Sequence, residues 1–147
     1  MNGDLDNRRK IIEQYKPDVQ LLIRYIPWLE QKKDEQVVKE YGREEETVLT
    51  FPVYDSTLLA LVKTAQKTCF MNRNYRYIYT RYGIHSVAKE IELIEHATLR
   101  EMDLLGGILS RYVMSGMTKG SVWPEAVQNG VFLALLKKLQ ELVDITL

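Results

Sequence analysis

Val131-Phe132-Leu133-Ala134-Leu135-Leu136-Lys137-Lys138-Leu139-Gln140-Glu141-Leu142-Val143 is the stretch that decides the fold. Phe132, Leu135, Leu136, Leu139, Leu142 and Val143 recur at spacings of three and four, the period of one face of an α-helix. Asn129-Gly130 just before it is a strong stop for a preceding helix. That shorter helix starts at Ser121, a good cap, with Pro124 in its first turn, where a missing N–H is tolerated.

The same period recurs further upstream. Met102, Leu105, Gly106, Leu109 and Val113 form one face, and Thr98-Leu99-Arg100-Glu101 ahead of them has capping-box spacing. Gly106-Gly107 costs about 1 kcal/mol per residue in helix propensity, so a close neighbouring helix or a kink is expected there. Ser86 caps a helix facing inward with Val87, Ala88, Ile91 and Ile94. Tyr75, Ile78, Tyr79 and Tyr82 make a helical stripe ended by Gly83. A strand competes for this segment, because Tyr75, Tyr77 and Tyr79 also alternate and Tyr favours strands; helix is preferred. Asp55-Ser56 caps a helix with Leu58, Leu61, Val62, Ala65 and Cys69 on its apolar face.

Nearest the N-terminus, Leu5 to Tyr15 reads as a short helix, and Pro17 suits the first turn of the next. Val19, Leu22, Ile23, Ile26 and Leu29 continue that one, with a kink or break expected at Pro27. Gln31 to Glu46 is dense in charge and reads as a helix end plus a surface loop. Val48 to Tyr54 holds Pro52 and reads as an extended connector rather than a central strand. The expected fold is all-α: one bundle of about six helices with one long charged connector, forming a single domain over residues 1–147.

Composition agrees with a globular chain. Of 147 residues, 46% are apolar and 27% charged, which excludes a disordered polymer. Twenty basic residues balance twenty acidic ones, so net charge makes no global case for nucleic acid or an anionic membrane. One cysteine excludes an internal disulfide and fits a reducing compartment. Met1 to Asp6 is polar and acidic, and Arg8-Arg9-Lys10 is not followed by a signal-like apolar core. Val131 to Leu136, the longest purely apolar run, is far too short to span a bilayer. The expected location is cytoplasmic, with no membrane partner.

Chemistry-bearing patterns are few. A zinc site of Cys and His needs about four ligands, and the chain offers Cys69, His85 and His96 at no ligand spacing. Glu92 and His96 share a helix face, but no second pair completes a carboxylate-bridged metal site. Cys69 on an apolar helix face reads as a small buried hydrophobe rather than a nucleophile. Phosphate-binding loops, dinucleotide-binding glycines and a serine elbow are absent. No cofactor, metal or catalytic residue is therefore assigned.

One asymmetry remains. From Ser56 to Lys89 there is no Asp or Glu, while Lys63, Lys67, Arg73, Arg76, Arg81 and Lys89 are present. Tyr75, Tyr77, Tyr79 and Tyr82 interleave with the arginines. Guanidinium forks bind carboxylate or phosphate, and Tyr rings stack on bases. Arg73, Arg76, Tyr77 and Arg81 are the candidate residues for binding an anion or a partner. The preferred reading makes the Tyr stripe core and pairs Arg76 and Arg81 with acids inside the fold, such as Glu44 to Glu46.

Asn74-Tyr75-Arg76 through Tyr82-Gly83-Ile84, then Leu105 to Tyr112, then Trp123 through Gly130 to Leu139, resemble the bacterial domain of unknown function family 6508. The resemblance implies a small helical protein of the bacterial cytoplasm and no activity. That family typically carries an Arg, then Glu-Arg-Phe and a Gly, before its Trp. This chain has Met114-Ser115-Gly116-Met117-Thr118-Lys119-Gly120 there, so no functional residue is carried over. The expected function is a non-enzymatic protein-interaction or self-associating helical module, with a homodimer as the form of self-association. The alternative is a nucleic-acid or polyanion-binding accessory protein using residues 73–82, and an enzyme ranks third.

Overall fold

Helix α1 (Asn2–Leu22) runs unbroken through Pro17, where the sequence suggested two helices. Pro17 deprives the Glu13 carbonyl of its helical donor, but both residues are exposed, so water can supply the bond. The expected break at Pro27 does occur. Ile23–Tyr25 tightens into a 3-10 turn, and the Ile26 N–H bonds the Ile23 carbonyl. Ile23 is the residue four before Pro27, whose own carbonyl the proline ring would strike in a regular α-helix. Helix α2 (Ile26–Lys32) then resumes. The computed structural model describes residues 2–32, 38–40, 52–54 and 56–143, so Glu44 to Glu46 and Asp55 lie outside the described residues.

A short ribbon corrects the reading of Val38–Glu40 as surface loop, while Pro52–Tyr54 is extended as expected, though paired. Strand β1 (Val38–Glu40) pairs antiparallel with β2 (Pro52–Tyr54), in the register Val38 with Tyr54 and Glu40 with Pro52. Pro52 opens its strand, the position where a missing donor is tolerated. The ribbon is a minor appendage, and the fold is all-α.

Helices α3 (Ser56–Gln66), α4 (Tyr75–Tyr82), α5 (Val87–His96), α6 (Met102–Ser115), α7 (Val122–Gln128) and α8 (Val131–Val143) complete eight α-helical segments among the described residues. The excess over six lies in short pieces, since α2 and α7 have seven residues each. Helix α8 packs against α1, α2, α5, α6 and α7, while α6 packs against α3, α4 and α7. Phe132, Leu135, Leu136 and Leu139 are all fully buried, as the sequence period requires. Asn129 both ends α7 and starts α8, because its side chain accepts the Val131 N–H at 2.9 Å. Ser121, expected to cap α7, makes no side-chain cap bond.

Helix α6 is apolar on nearly every side, with ten of its fourteen residues buried. Its entry follows the Thr98 to Glu101 signal: a capping box closes a 3-10 turn (Leu99–Glu101) that leads into the helix. Gly106 and Gly107 sit where neighbours press closest. A Cβ at Gly107 would meet the Ile78 side chain at 2.9 Å, and one at Gly106 the Phe70 carbonyl oxygen at 2.9 Å. Gly107 thus permits the close approach of α4, one of the two outcomes expected for the pair, and Gly106 that of the loop before it. Ser110, fully buried, fastens the loop ahead of α4. Its hydroxyl accepts the Asn72 N–H at 2.8 Å, with the Gly106 and Phe70 carbonyls at 2.7 and 3.1 Å.

Candidate functional site between α4, α5 and α6

Residues 75–82 are helix, not strand, and the helix stops as expected. Gly83 takes the left-handed conformation (φ 63), its N–H bonds the Thr80 carbonyl, and the Ile84 N–H reaches back to Tyr79. That is a Schellman ending, which glycine adopts without a Cβ clash. Ile78 is buried, and Tyr79 and Tyr82 pack half-buried against the core.

The four candidate residues divide. Tyr77 stands at the crest of α4, 65% exposed, and Arg73, Arg76 and Arg81 are exposed around it. Successive helical residues advance by about 100°, so Arg76 and Arg81 fall on opposite flanks of that crest. Neither pairs with a carboxylate among the described residues, and the expected partners, Glu44 to Glu46, lie outside them. Each guanidinium lies over an adjacent ring instead, Arg76 at 5.9 Å from Tyr75 and Arg81 at 5.4 Å from Tyr82. The run of residues from Ser56 to Lys89 without an acid explains why no near neighbour in the chain can pair them.

The acid that matters is Glu90, which the sequence did not single out. Helix α5 faces inward with Glu90 and Ile94, and Val87, assigned to that face, is 38% exposed. Glu90 is 1% exposed. Tyr79 donates its hydroxyl to Oε2, Tyr112 donates to Oε1 at 2.5 Å, and Arg111 Nη1 donates to Oε2 at 3.1 Å. A carboxylate buried alone would be prohibitively costly; three donors, one of them cationic, offset that cost. Each hydrogen bond to a charged group contributes about 1.5–3 kcal/mol.

Arg111 is held on three sides. Besides its ion pair, its guanidinium lies 5.3 Å from the Tyr79 ring centre and 4.9 Å from that of Tyr112. Burial, then the hydrogen bond and charge of Glu90, push both phenols above their ordinary range, so both stay protonated as donors. The Arg111 side chain nevertheless keeps 43% of its surface open. It separates two hollows that share Tyr79, Ile84 and His85. One, of about 400 Å³, is walled by Tyr75, Arg76, Thr80 and Ser115; the other, of about 260 Å³, by Val87 and Glu90.

Other places are chemically poorer. A hollow of about 440 Å³ between α5 and α8 is larger, but both of its lysines are already engaged: Lys138 binds Glu141 at 2.9 Å and Lys137 lies 3.7 Å from Glu30. We therefore favour the smaller hollows, where cations converge. Cys69 is exposed beyond the end of α3, which corrects its placement on a buried helix face. Partial desolvation and the neighbouring Asp18 carboxylate push its thiol up to about 11, which disfavours the thiolate a nucleophile needs. Among the described residues no three His, Cys, Asp or Glu side chains gather as a metal site, and no helix is long and apolar enough to cross a membrane.

Arg111 carried a signal that was overlooked. It is the sole charge between Leu104 and Met117, in an otherwise apolar helix. Such a charge is either paired or functional. Glu90 carried none, because its three partners lie 11 to 22 residues away in the chain. Comparison with protein families, curated proteins and solved structures finds no match to this chain.

Proposed function

We propose that this chain is a non-enzymatic interaction module that docks an acidic segment of another protein on the α4 face, through Arg73, Arg76, Tyr77 and Arg81. One observation carries this reading. An aromatic crest, Tyr77, projects between three exposed guanidiniums that have no carboxylate partner among the described residues. Arg and Tyr are the residue types that anchor interfaces.

Binding of a single nucleic-acid strand is the weaker reading of the same face. Such sites lay successive bases on a series of open rings. Here Tyr75, Tyr79 and Tyr82 are turned half into the fold, leaving one free ring. A second copy of the chain is also weaker as the partner. The large apolar side chains exposed among the described residues are Leu21, Tyr77, Val87 and Met117, spread over separate elements. A stable dimer buries about 800 Å² on each partner around an apolar centre. Catalysis is disfavoured because the buried carboxylate is saturated with donors and the thiol is held protonated. The resemblance to the bacterial family 6508, together with the single cysteine, favours a bacterial cytoplasmic setting.

The test is a pair of titrations with a labelled acidic peptide and a labelled single-stranded oligonucleotide, each at low and moderate salt. The module reading expects the peptide to bind and the oligonucleotide to bind weakly or not at all. Tight oligonucleotide binding that falls steeply with salt would instead mark phosphate contacts and favour the accessory-protein reading.

A further inference from the structure

We infer that the groove between α4 and α6 seats one carboxylate of that acidic partner, clamped between Arg76 and Arg111. The inference rests on the docking function proposed above and gives it a specific pocket. A guanidinium has five N–H donors. Arg111 commits Nη1 to Glu90 at 3.1 Å and keeps 43% of its side-chain surface open, beside a hollow that Arg76 also lines. Glu90, Tyr79 and Tyr112 hold that guanidinium in place before any ligand arrives. Little side-chain freedom is then left to lose on binding, which favours affinity.

Charge selects the ligand class. Arg76 and Arg111 contribute two positive charges and Glu90 one negative, so these three side chains carry a net charge of about +1. That matches a monoanionic carboxylate better than a phosphate dianion. Tyr75 and Tyr79 supply rings along the wall, against which the methylenes of a glutamate side chain can pack. Arg81, on the opposite flank of α4, does not line this groove.

The probe is an acetylated, amidated tetraglutamate peptide, followed through the side-chain N–H resonances of the arginines by NMR and by affinity titration. The signals of Arg76 and Arg111 should shift more than those of Arg73 and Arg81. Arg76→Gln should weaken binding about tenfold, the loss expected for one charged contact, with no change in melting temperature. Arg111→Gln alone strands a buried carboxylate, so it is made together with Glu90→Gln. That paired variant should stay folded and also lose about tenfold. If both variants bind as the parent does while Arg73→Gln and Arg81→Gln lose affinity, the groove assignment is overturned and docking on the α4 crest survives. Failure of the parent to bind the peptide at all overturns the docking function itself. A larger response of Arg111 to phenyl phosphate than to the peptide would overturn the choice of a monoanion.

Discussion

Glu90 concentrates the physics of this molecule in one side chain. It is almost fully buried, and its oxygens are divided between two phenols and a guanidinium. Removing the cation strands the charge, and breaking such a pair costs about 3–5 kcal/mol. Arg111→Met should therefore destabilise strongly, though toward the low end, because both phenols remain. Glu90→Gln should destabilise the parent but stabilise the Arg111→Met background. A double-mutant cycle in chemical denaturation reads that reversal of sign, and additive effects would show that the pair is not coupled. The phenols predict a pH dependence. Both are raised in the folded chain, so folding favours their protonated form. The stability they confer is intact below about pH 10, where unfolded tyrosine is also neutral, and falls as pH climbs beyond it. Phenolate absorbance should show Tyr79 and Tyr112 ionising together with unfolding, and Tyr79→Phe with Tyr112→Phe should flatten the alkaline loss. Ionisation of all nine tyrosines before any loss of helix would contradict this.

Helices α6 and α8 do most of the packing, and each yields a test. Leu136 is fully buried on α8 between α8's other core positions Phe132, Leu135 and Leu139. Leu136→Asp should lose several kcal/mol or fail to fold. A melting temperature within about a degree or two of the parent would make α8 peripheral. Gly107→Ala places a methyl 2.9 Å from the Ile78 side chain. It should raise intrinsic helix propensity yet lower stability, by about 1–3 kcal/mol, the usual cost of overpacking. A stabilised variant would mean that α4 can move away from α6 without penalty. These two helices also mark where the sequence was readable. The α8 face follows from period alone, and the α4 stripe resolved as helix because Ile78, Tyr79 and Tyr82, rather than the alternating Tyr75, Tyr77 and Tyr79, face the core. The α5 face was misjudged at Val87 because hydrophobicity excludes a carboxylate from the core unless its partners are known. The ribbon of β1 and β2 was missed for a similar reason: three-residue strands have no periodic signal apart from the strand they pair with.

At the scale of the whole molecule, a mixed-charge chain exposes three arginines around α4 with no carboxylate partner among the described residues, next to an arginine fixed by a buried carboxylate. The segment was legible as an asymmetry of charge, since Ser56 to Lys89 lacks any acid. Its division into two flanks, one of them joined to Arg111, required the fold. Without a partner the chain should scatter light with the mass of one copy, because the large apolar side chains exposed among the described residues are dispersed. A stable dimer at micromolar concentration would make a second copy the better partner. The central claim is that the α4 arginines are kept free for a ligand rather than spent on internal ion pairs. The direct measurement is fluorescence anisotropy of a labelled acidic peptide titrated with the double charge reversal Arg76→Glu, Arg81→Glu, after its melting temperature has been matched to the parent's. The account predicts an unchanged melting temperature and loss of peptide binding. A variant that melts early, or that binds the peptide with the parent's affinity, would contradict it.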